Sequence, residues 1–470
     1  MVIDTITDGL SRSVGAVADG VTGLFTDPTI RLGVTGLSRA GKTVFITSLI
    51  ANLLDRGRMP QLLAASSGSI THAYLQPQPD DTIPRFDYEA HLGAMTGTEP
   101  RWPQSTRAVS ELRLSLRVQP QGFIGSFSGP RTVHLDIVDY PGEWLLDLGL
   151  LDKSYAEWSA DVLAKGASRA EHAPYHAALA DVPDGATYDE PTAQRLAAAF
   201  TTVLKAAREA GYADCTPGRF LLPGELEGSP VLTFAPLPGT NGARKSLLRE
   251  MERRFEAYKS KVVKPFFREH FARLDRQVVL VDVLGAIHDG PRAVEALRQT
   301  MADILGAFRP GRNAFLTALF AGRRVDRILF AATKADHLHH AQHKRLTAIM
   351  EAVTREARDR ARFAGAETGA MAIASLRTTT ETDVEHDGAT LKAVAGVTEA
   401  GKRAAFYPGE LPEDPTRILA PAREGADDWP FGEVEVMRFT PPVQSIVPGD
   451  GPPHIRLDKA AEFLMGDRLR

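Results

Sequence analysis

Residues 31–50 read RLGVTGLSRAGKTVFITSLI, and the architecture follows from that stretch. The run from Arg31 to Thr35 predicts a short strand, and Val44 to Leu54 predicts a helix. Between them, Gly36-Leu-Ser38-Arg39-Ala40-Gly41-Lys42-Thr43 completes the pattern GxxxxGK[ST]. Glycines at both ends of such a loop let it wrap, so that successive backbone N–H groups, up to Val44, converge on phosphate oxygens. Lys42 reaches the outer phosphates as a point charge, and Thr43 offers a hydroxyl to Mg2+. The helix that begins here adds its positive dipole end. With a strand before it and a helix after it, the pattern indicates a nucleotide site rather than a turn with a lysine cap.

Further along, residues 134–144 read HLDIVDYPGEW, which places Asp139 at the end of an apolar strand and Gly142 three residues later. A carboxylate there holds Mg2+ through water, and the glycine N–H meets a terminal phosphate and senses its loss. Thr333-Lys334-Ala335-Asp336 closes another strand. The Asp336 carboxylate can accept from both N1–H and the 2-amino group of guanine, which adenine lacks, while the Lys334 stem covers the base and His337 borders it. Asp336 as a mere cap of the following helix is the alternative. TKxD resembles the guanine-specificity motif of Ras-like GTPases, with threonine in place of the usual asparagine. Ser375 closes the next strand where those proteins carry a base-contacting serine. The order strand–P-loop–helix, strand, strand–DxxG, strand–helix, strand–TKxD–helix, strand–Ser resembles a Ras-like G domain throughout.

The rest of the 470 residues fits round this core. Hydrophobic residues at 43% and charged residues at 24% suit a globular protein, and a net charge of −4 argues against a nucleic-acid binder running on bulk charge. The single cysteine, Cys215, excludes an intrachain disulfide and a multi-cysteine metal cluster. No stretch reaches the ~18 apolar residues of a transmembrane span. Residues 1–30 read as an amphipathic helical arm, with Leu10, Val14, Val17, Val21 and Leu24 at helical spacing, packed on its own domain in preference to a membrane surface.

Residues 31–144 form the first part of a P-loop NTPase domain with a mostly parallel sheet, and 276–376 the second. Between them, 145–275 is an alanine-rich helical insertion, with helices near 154–166, 190–210 and 245–274, the last kinked or ended at Pro265. Residues 56–105 are mixed and rich in Pro and Gly. QVVLVDVLG (277–285) has the pattern of a central strand covered on both faces. A helix is expected over 291–308, a strand over 327–333, a helix near 338–363 and a strand over 370–375. Residues 377–470 make a small C-terminal subdomain, with a hairpin in TETDVEHDGATLKAVAG and a closing helix in HIRLDKAAEFLMG.

Several segments are more specific. RLGVTGLSRAGKTVFITSLI, RWPQSTRAVSELRL, DYPGEWLLDL, RFLLPGELEGSPVLTFAPL, RQVVLVDVLG, FAATKADHL and HIRLDKAAEFLMGDRL resemble the YcjX family of bacterial P-loop GTPases, DUF463, nearly end to end. The resemblance implies a stress-related cytoplasmic protein that binds and hydrolyses GTP, leaving GDP. It also implies a YcjF-like inner-membrane protein as partner.

For hydrolysis, Glu143 occupies the place of the water-orienting glutamine of Ras-like proteins. It either positions water or forms an ion pair in the switch loop. Arg39 lies where the similar loops of guanylate-binding proteins and atlastins carry an arginine that folds over the phosphates in cis; pointing to solvent or to a switch carboxylate is its alternative. The first switch is placed at Trp102-Pro-Gln-Ser-Thr106-Arg107. Thr106 would offer its hydroxyl to Mg2+ and Arg107 would approach the phosphates, with Thr96 and Thr98 competing for the threonine role. Two rivals to a GTPase are a nucleotide-switched scaffold with negligible hydrolysis and an ATP-dependent kinase or ATPase, against which TKAD argues. His337, His339, His340 and His343 show neither an HExxH arrangement nor a third ligand, and read as a solvated helix start. The basic stretch 244–276 packs Leu248, Met251, Phe255 and Val262 inward rather than docking on lipid.

Overall fold

Apolar strands arranged side by side build the centre. The structure, a computed structural model, describes residues 27–470 apart from 37–39, 105–107, 120–128, 211, 213, 241, 270–272, 307–324, 364 and 444–446. The arm placed over 1–30 lies outside the described residues up to position 26. Seven strands, β1 (Thr29–Gly36), β2 (Ile70–Gln76), β3 (Ser110–Val118), β4 (Arg131–Asp139), β5 (Arg276–Val281), β6 (Arg327–Ala332) and β7 (Glu367–Ala372), lie in the order β2-β3-β4-β1-β5-β6-β7. From β4 to β7 the strands run parallel, while β3 runs antiparallel to β4 and β2 to β3. This is the mostly parallel α/β sheet that the strand–helix alternation predicts.

Side chains of each strand alternate between two covered faces. On one face Ile30, Leu32 and Val34 of β1 and Val278 and Leu280 of β5 meet helix α1 (Lys42–Leu54), whose Phe45, Ile46, Leu49, Ile50 and Leu53 are fully buried. The closing helix Leu457–Met465 packs on the same face. It is fastened by Arg276, whose buried guanidinium donates to Leu464 O at 2.8 Å and to the carboxylates of Asp326 and Asp467 at 2.6 and 2.8 Å. Between α1 and β3 the sequence reads as mixed and rich in Pro and Gly, with no element assigned. The structure adds the edge strand β2 and a helix, α2 (Tyr88–Thr96). β2 buries only Ile70, its other residues being exposed or half-buried, so it lacks the apolar run that marks a strand by eye.

The other face meets the helical segment between β4 and β5. Helices α3 (Glu190–Glu209) and α4 (Leu247–Tyr258) enclose an aromatic cluster in which Trp158 stacks on Phe255 at 5.0 Å and meets Phe200 and Phe234 edge-on at 5.9 and 5.5 Å. This cluster is continuous with Val279, Val281, Phe330 and Ala332 of the sheet, so the helical segment and the sheet face share one core. After α4 the chain passes through a π-helical turn, Lys259–Val263, before Lys264–Glu269. The wider turn sits just ahead of Pro265, which has no N–H to give.

Cys215 is buried in this region, and burial pushes its thiol up to about 12. We therefore expect no labelling of Cys215 by a thiol reagent in the folded protein and rapid labelling in denaturant; fast labelling of the native chain would contradict this placement.

Three expected elements end elsewhere. The strand placed over 370–375 is β7, Glu367–Ala372, so Ser375 lies three residues past its end and does not close it. The strand placed over 277–285 stops at Val281, because Asp282 turns the chain and caps the helix Val283–His288 by accepting from Gly285 N at 2.9 Å. The helix placed near 338–363 begins only at His343 and divides at Thr354 into His343–Val353 and Arg355–Phe363. Past β7, β8 (Thr380–His386), β9 (Ala389–Val397) and β10 (Arg403–Phe406) form a separate antiparallel sheet. The β8–β9 turn falls on Asp387-Gly388, both at positive φ (50° and 79°), the hairpin geometry that Asp-Gly favours. No described helix is long and apolar enough to cross a membrane.

Candidate functional site

The parallel strands all end on one edge of the sheet, and the motif residues lie along it. β1 sits where the order turns, with β4 on one side and β5 on the other, the place where open α/β sheets bind ligands. At Gly36 an added Cβ would come within 3.0 Å of Leu280 Cβ and its carbonyl oxygen and 3.1 Å of Ala40, so only glycine lets the loop turn this tightly over β5. Gly41 stands at the start of α1 with φ 79°, a conformation that an L side chain would strain, and Phe45 N donates to Gly41 O at 2.9 Å to open the helix. Ala40 and Thr43 are buried, and Val44 is half-buried in the first turn of α1. Ser38 and Arg39 lie outside the described residues.

Across the sheet, Asp139 ends β4 in register with Val34 of β1. Its carboxylate is buried, and among the described residues neither oxygen has a hydrogen-bond donor; Lys42 Nζ stands 3.5 Å from Oδ1. A buried carboxylate so poorly paired is costly on its own. A carboxylate at the end of β4 and a threonine at the head of α1 form an oxygen-only donor set, which suits Mg2+ with its retained waters. The residues therefore fit that ion. His91 of α2 also senses the Asp139 charge, although burial dominates and lowers its imidazole pKa. The sequence offered no motif to find it.

Two strands away, Thr333-Lys334-Ala335-Asp336 leaves β6. Thr333 N donates to Val281 O at 3.0 Å and Ala335 N to Ile373 O at 3.0 Å, so the loop is pinned to the ends of β5 and β7. Lys334 is left-handed, φ 59°, and its ammonium pairs with Asp282. Asp336 is buried. Its Oδ2 accepts from Thr378 N at 2.8 Å and Thr378 Oγ1 at 2.6 Å, and its carbonyl accepts from Thr379 Oγ1. Thr378, in the segment after β7, thus supplies the donors to Oδ2, as opposed to the amides of a following helix. The hydroxyl that reaches Asp336 is that of Thr378; Ser375 is buried nearby in sequence, but its side chain shows no bond to Asp336. Two strand spacings of about 4.8 Å separate β1 from β6, a gap of about 10 Å that an extended nucleoside triphosphate spans.

Beside Asp336, His337 is buried, burial lowers its pKa, and its ring meets Phe439 edge-on at 5.4 Å. Trp102 Nε1 donates to Phe439 O at 2.8 Å, so Trp102 is tied to the C-terminal segment that also meets His337. Thr106 and Arg107 lie outside the described residues. Thr96 uses its hydroxyl on Leu92 O at 2.8 Å within α2, and Thr98 is exposed.

Immediately past Asp139 the chain is locked to the helical segment. Gly142 starts a short helix, Gly142–Leu145, and is buried. Glu143, also buried, pairs with Arg208 of α3 at 3.0 Å. Of the two roles expected for Glu143, this geometry is that of an ion pair. Trp144 lies under the Arg219 guanidinium at 3.1 Å and donates Nε1 to Leu222 O at 3.0 Å. Asp147 accepts from Gly218 N at 2.7 Å and from the Tyr258 hydroxyl, and burial pushes its carboxyl up to about 6. Gly218 has to be glycine: an added Cβ would meet Glu143 O at 1.9 Å. We expect Glu143→Ala and Arg208→Ala to be non-additive by about 1 kcal/mol or more in denaturant unfolding, as for residues in direct contact. Additive losses would mean that the pair contributes nothing.

A family model described as YcjX-like family, DUF463, matches residues 30–469. The chain is 36% identical over 463 residues to the Ras-like GTPase YcjX of Escherichia coli K12, covering 94% of this chain and 97% of that protein. It is also 36% identical over 470 residues to the Ras-like GTPase YcjX of Shewanella oneidensis MR-1, covering 94% and 95%.

Proposed function

The chain belongs to the YcjX-like family, DUF463, and from that premise we propose that it binds GTP and hydrolyses it to GDP and phosphate with Mg2+. One observation carries the reading: the phosphate-loop residues Gly41–Thr43 after β1, Asp139 at the end of the adjacent β4, and the Thr378-braced carboxylate of Asp336 after β6, two strands from β1, lie along one sheet edge. In this reading Asp336 selects guanine, with Thr378 fixing the carboxylate plane, and Lys334 and His337 flank the base. Lys42 neutralises the outer phosphates. Thr43, Thr106 and Asp139 would hold Mg2+, which when bound draws charge from the phosphate oxygens. Water attacks the γ-phosphate in line, and Arg39 supplies positive charge in cis as the terminal phosphate departs. Trp102 and Arg107 flank the first switch.

The role we attach is that of a stress-related regulatory GTPase of the cytoplasm, or one held peripherally at the inner membrane, with a YcjF-like inner-membrane protein as partner. A second reading is favoured by the Glu143–Arg208 pair, which occupies the side chain at the water-orienting place. In that reading the protein is a nucleotide-switched scaffold with negligible hydrolysis acting on a membrane partner. Single-turnover cleavage of GTP by the purified chain separates the two. The GTPase reading expects cleavage that Arg39→Ala slows by about 10³-fold or more. Absence of cleavage, with liposomes or lysate added, would leave the scaffold.

A further inference from the structure

Folding supplies the third ligand that the histidines following Asp336 lack in the sequence. It is Glu381 of β8, 41 positions beyond His340. His340 Nδ1 stands 2.7 Å and His339 Nε2 3.6 Å from the same oxygen, Glu381 Oε2, and the three potential ligand atoms lie within 4.8 Å of one another. The other carboxylate oxygen, Oε1, accepts the His340 backbone N–H at 3.0 Å, so the carboxylate is held in place from behind. Two imidazole nitrogens aimed at one braced carboxylate oxygen are a converging donor set, outside the nucleotide site.

We propose that His339, His340 and Glu381 bind one divalent transition ion of the Zn2+ type. Two imidazoles and a carboxylate suit zinc and its neighbours, with water completing the coordination, whereas Mg2+ and Ca2+ take oxygen donors. Bonds of about 2.0–2.2 Å put tetrahedral ligand atoms about 3.3–3.6 Å apart. The 3.6 Å pair already meets that spacing, and the 2.7 Å pair opens by a small turn of the exposed His340 ring. His339 Nδ1 now accepts from Ala341 N at 3.3 Å. With the ion on Nε2 the ring proton moves to Nδ1, and the Ala341 N–H, on an exposed residue, exchanges that acceptor for water. Thr378 and Thr379, which hold Asp336, lead directly into β8 and Glu381. The ion therefore fastens the loop carrying Asp336 to the C-terminal sheet.

Isothermal titration of Zn2+ into the full chain, with excess Mg2+ present, tests the site. We expect one saturable Zn2+ site that raises the melting temperature. His340→Ala and Glu381→Gln should each weaken it at least about tenfold and abolish the thermal shift. His386→Ala, an exposed histidine at the far end of β8, should leave both unchanged. The site is overturned by the absence of saturable Zn2+ binding, or by Zn2+ binding undiminished in both His340→Ala and Glu381→Gln.

Discussion

Replacing Asp336 with asparagine is expected to lower GTP affinity by about 10²- to 10⁴-fold and to admit xanthosine triphosphate. The carboxylate would accept two hydrogen bonds from guanine, and bonds to a charged acceptor contribute about 1.5–3 kcal/mol each. Losing both removes about 3–6 kcal/mol, which gives the stated range at tenfold per 1.4 kcal/mol. Xanthine carries a carbonyl where guanine carries an amino group, so the Asn amide can donate where the carboxylate accepted. Thr378 N and Oγ1, which now brace Oδ2, keep an acceptor in the Asn carbonyl, so the loop should hold its shape. Competition titration of GTP, xanthosine triphosphate and ATP checks this. Unchanged GTP affinity, or equal ATP and GTP affinity in the wild type, would defeat the guanine assignment.

Lys42→Ala is expected to slow GTP cleavage by about 10²–10³-fold, the usual loss when one fixed positive donor is taken from a site where charge develops. The same change should destabilise the free protein. Asp139 is buried and pairs with Lys42, and removing one member of a buried pair costs about 3–5 kcal/mol. At 3.5 Å, with Lys42 retaining some contact with solvent, the lower end applies. Adding Asp139→Asn should restore most of that stability while leaving cleavage lost. Denaturant melts of the single and double variants, read beside single-turnover cleavage, separate the two effects. A fully stable Lys42→Ala protein would mean that other groups neutralise Asp139.

What could be read from the chain, and what could not, follows from how far apart the interacting residues lie. Gly36 to Thr43 and Thr333 to Asp336 act through local backbone geometry, so their spacing carries the chemistry. The same holds for Asp387-Gly388, whose paired positive φ angles make the hairpin. The brace on Asp336 comes from Thr378, in the loop after β7, and nothing in the local sequence marks that residue as a partner of the carboxylate. Arg208 reaches Glu143 from α3, and Glu381 reaches the histidines from β8; neither position carries a pattern of its own. The strand over 277–285 was drawn too long because VVLVDVLG is apolar through its whole length but for Asp282, the residue that ends the strand by capping a helix. β2 carries little periodic signal because, at the sheet edge, it buries only Ile70.

The central claim is that the loop near Gly41 and the carboxylate at Asp336 hold the two ends of a single guanine nucleotide. A crystal structure of the chain with Mg2+ and a non-hydrolysable GTP analogue tests it most directly. The phosphates are expected against Gly41, Lys42 and Thr43, and the guanine edge on Asp336, in the same molecule. A base seated away from Asp336, with the phosphates in place, would contradict it.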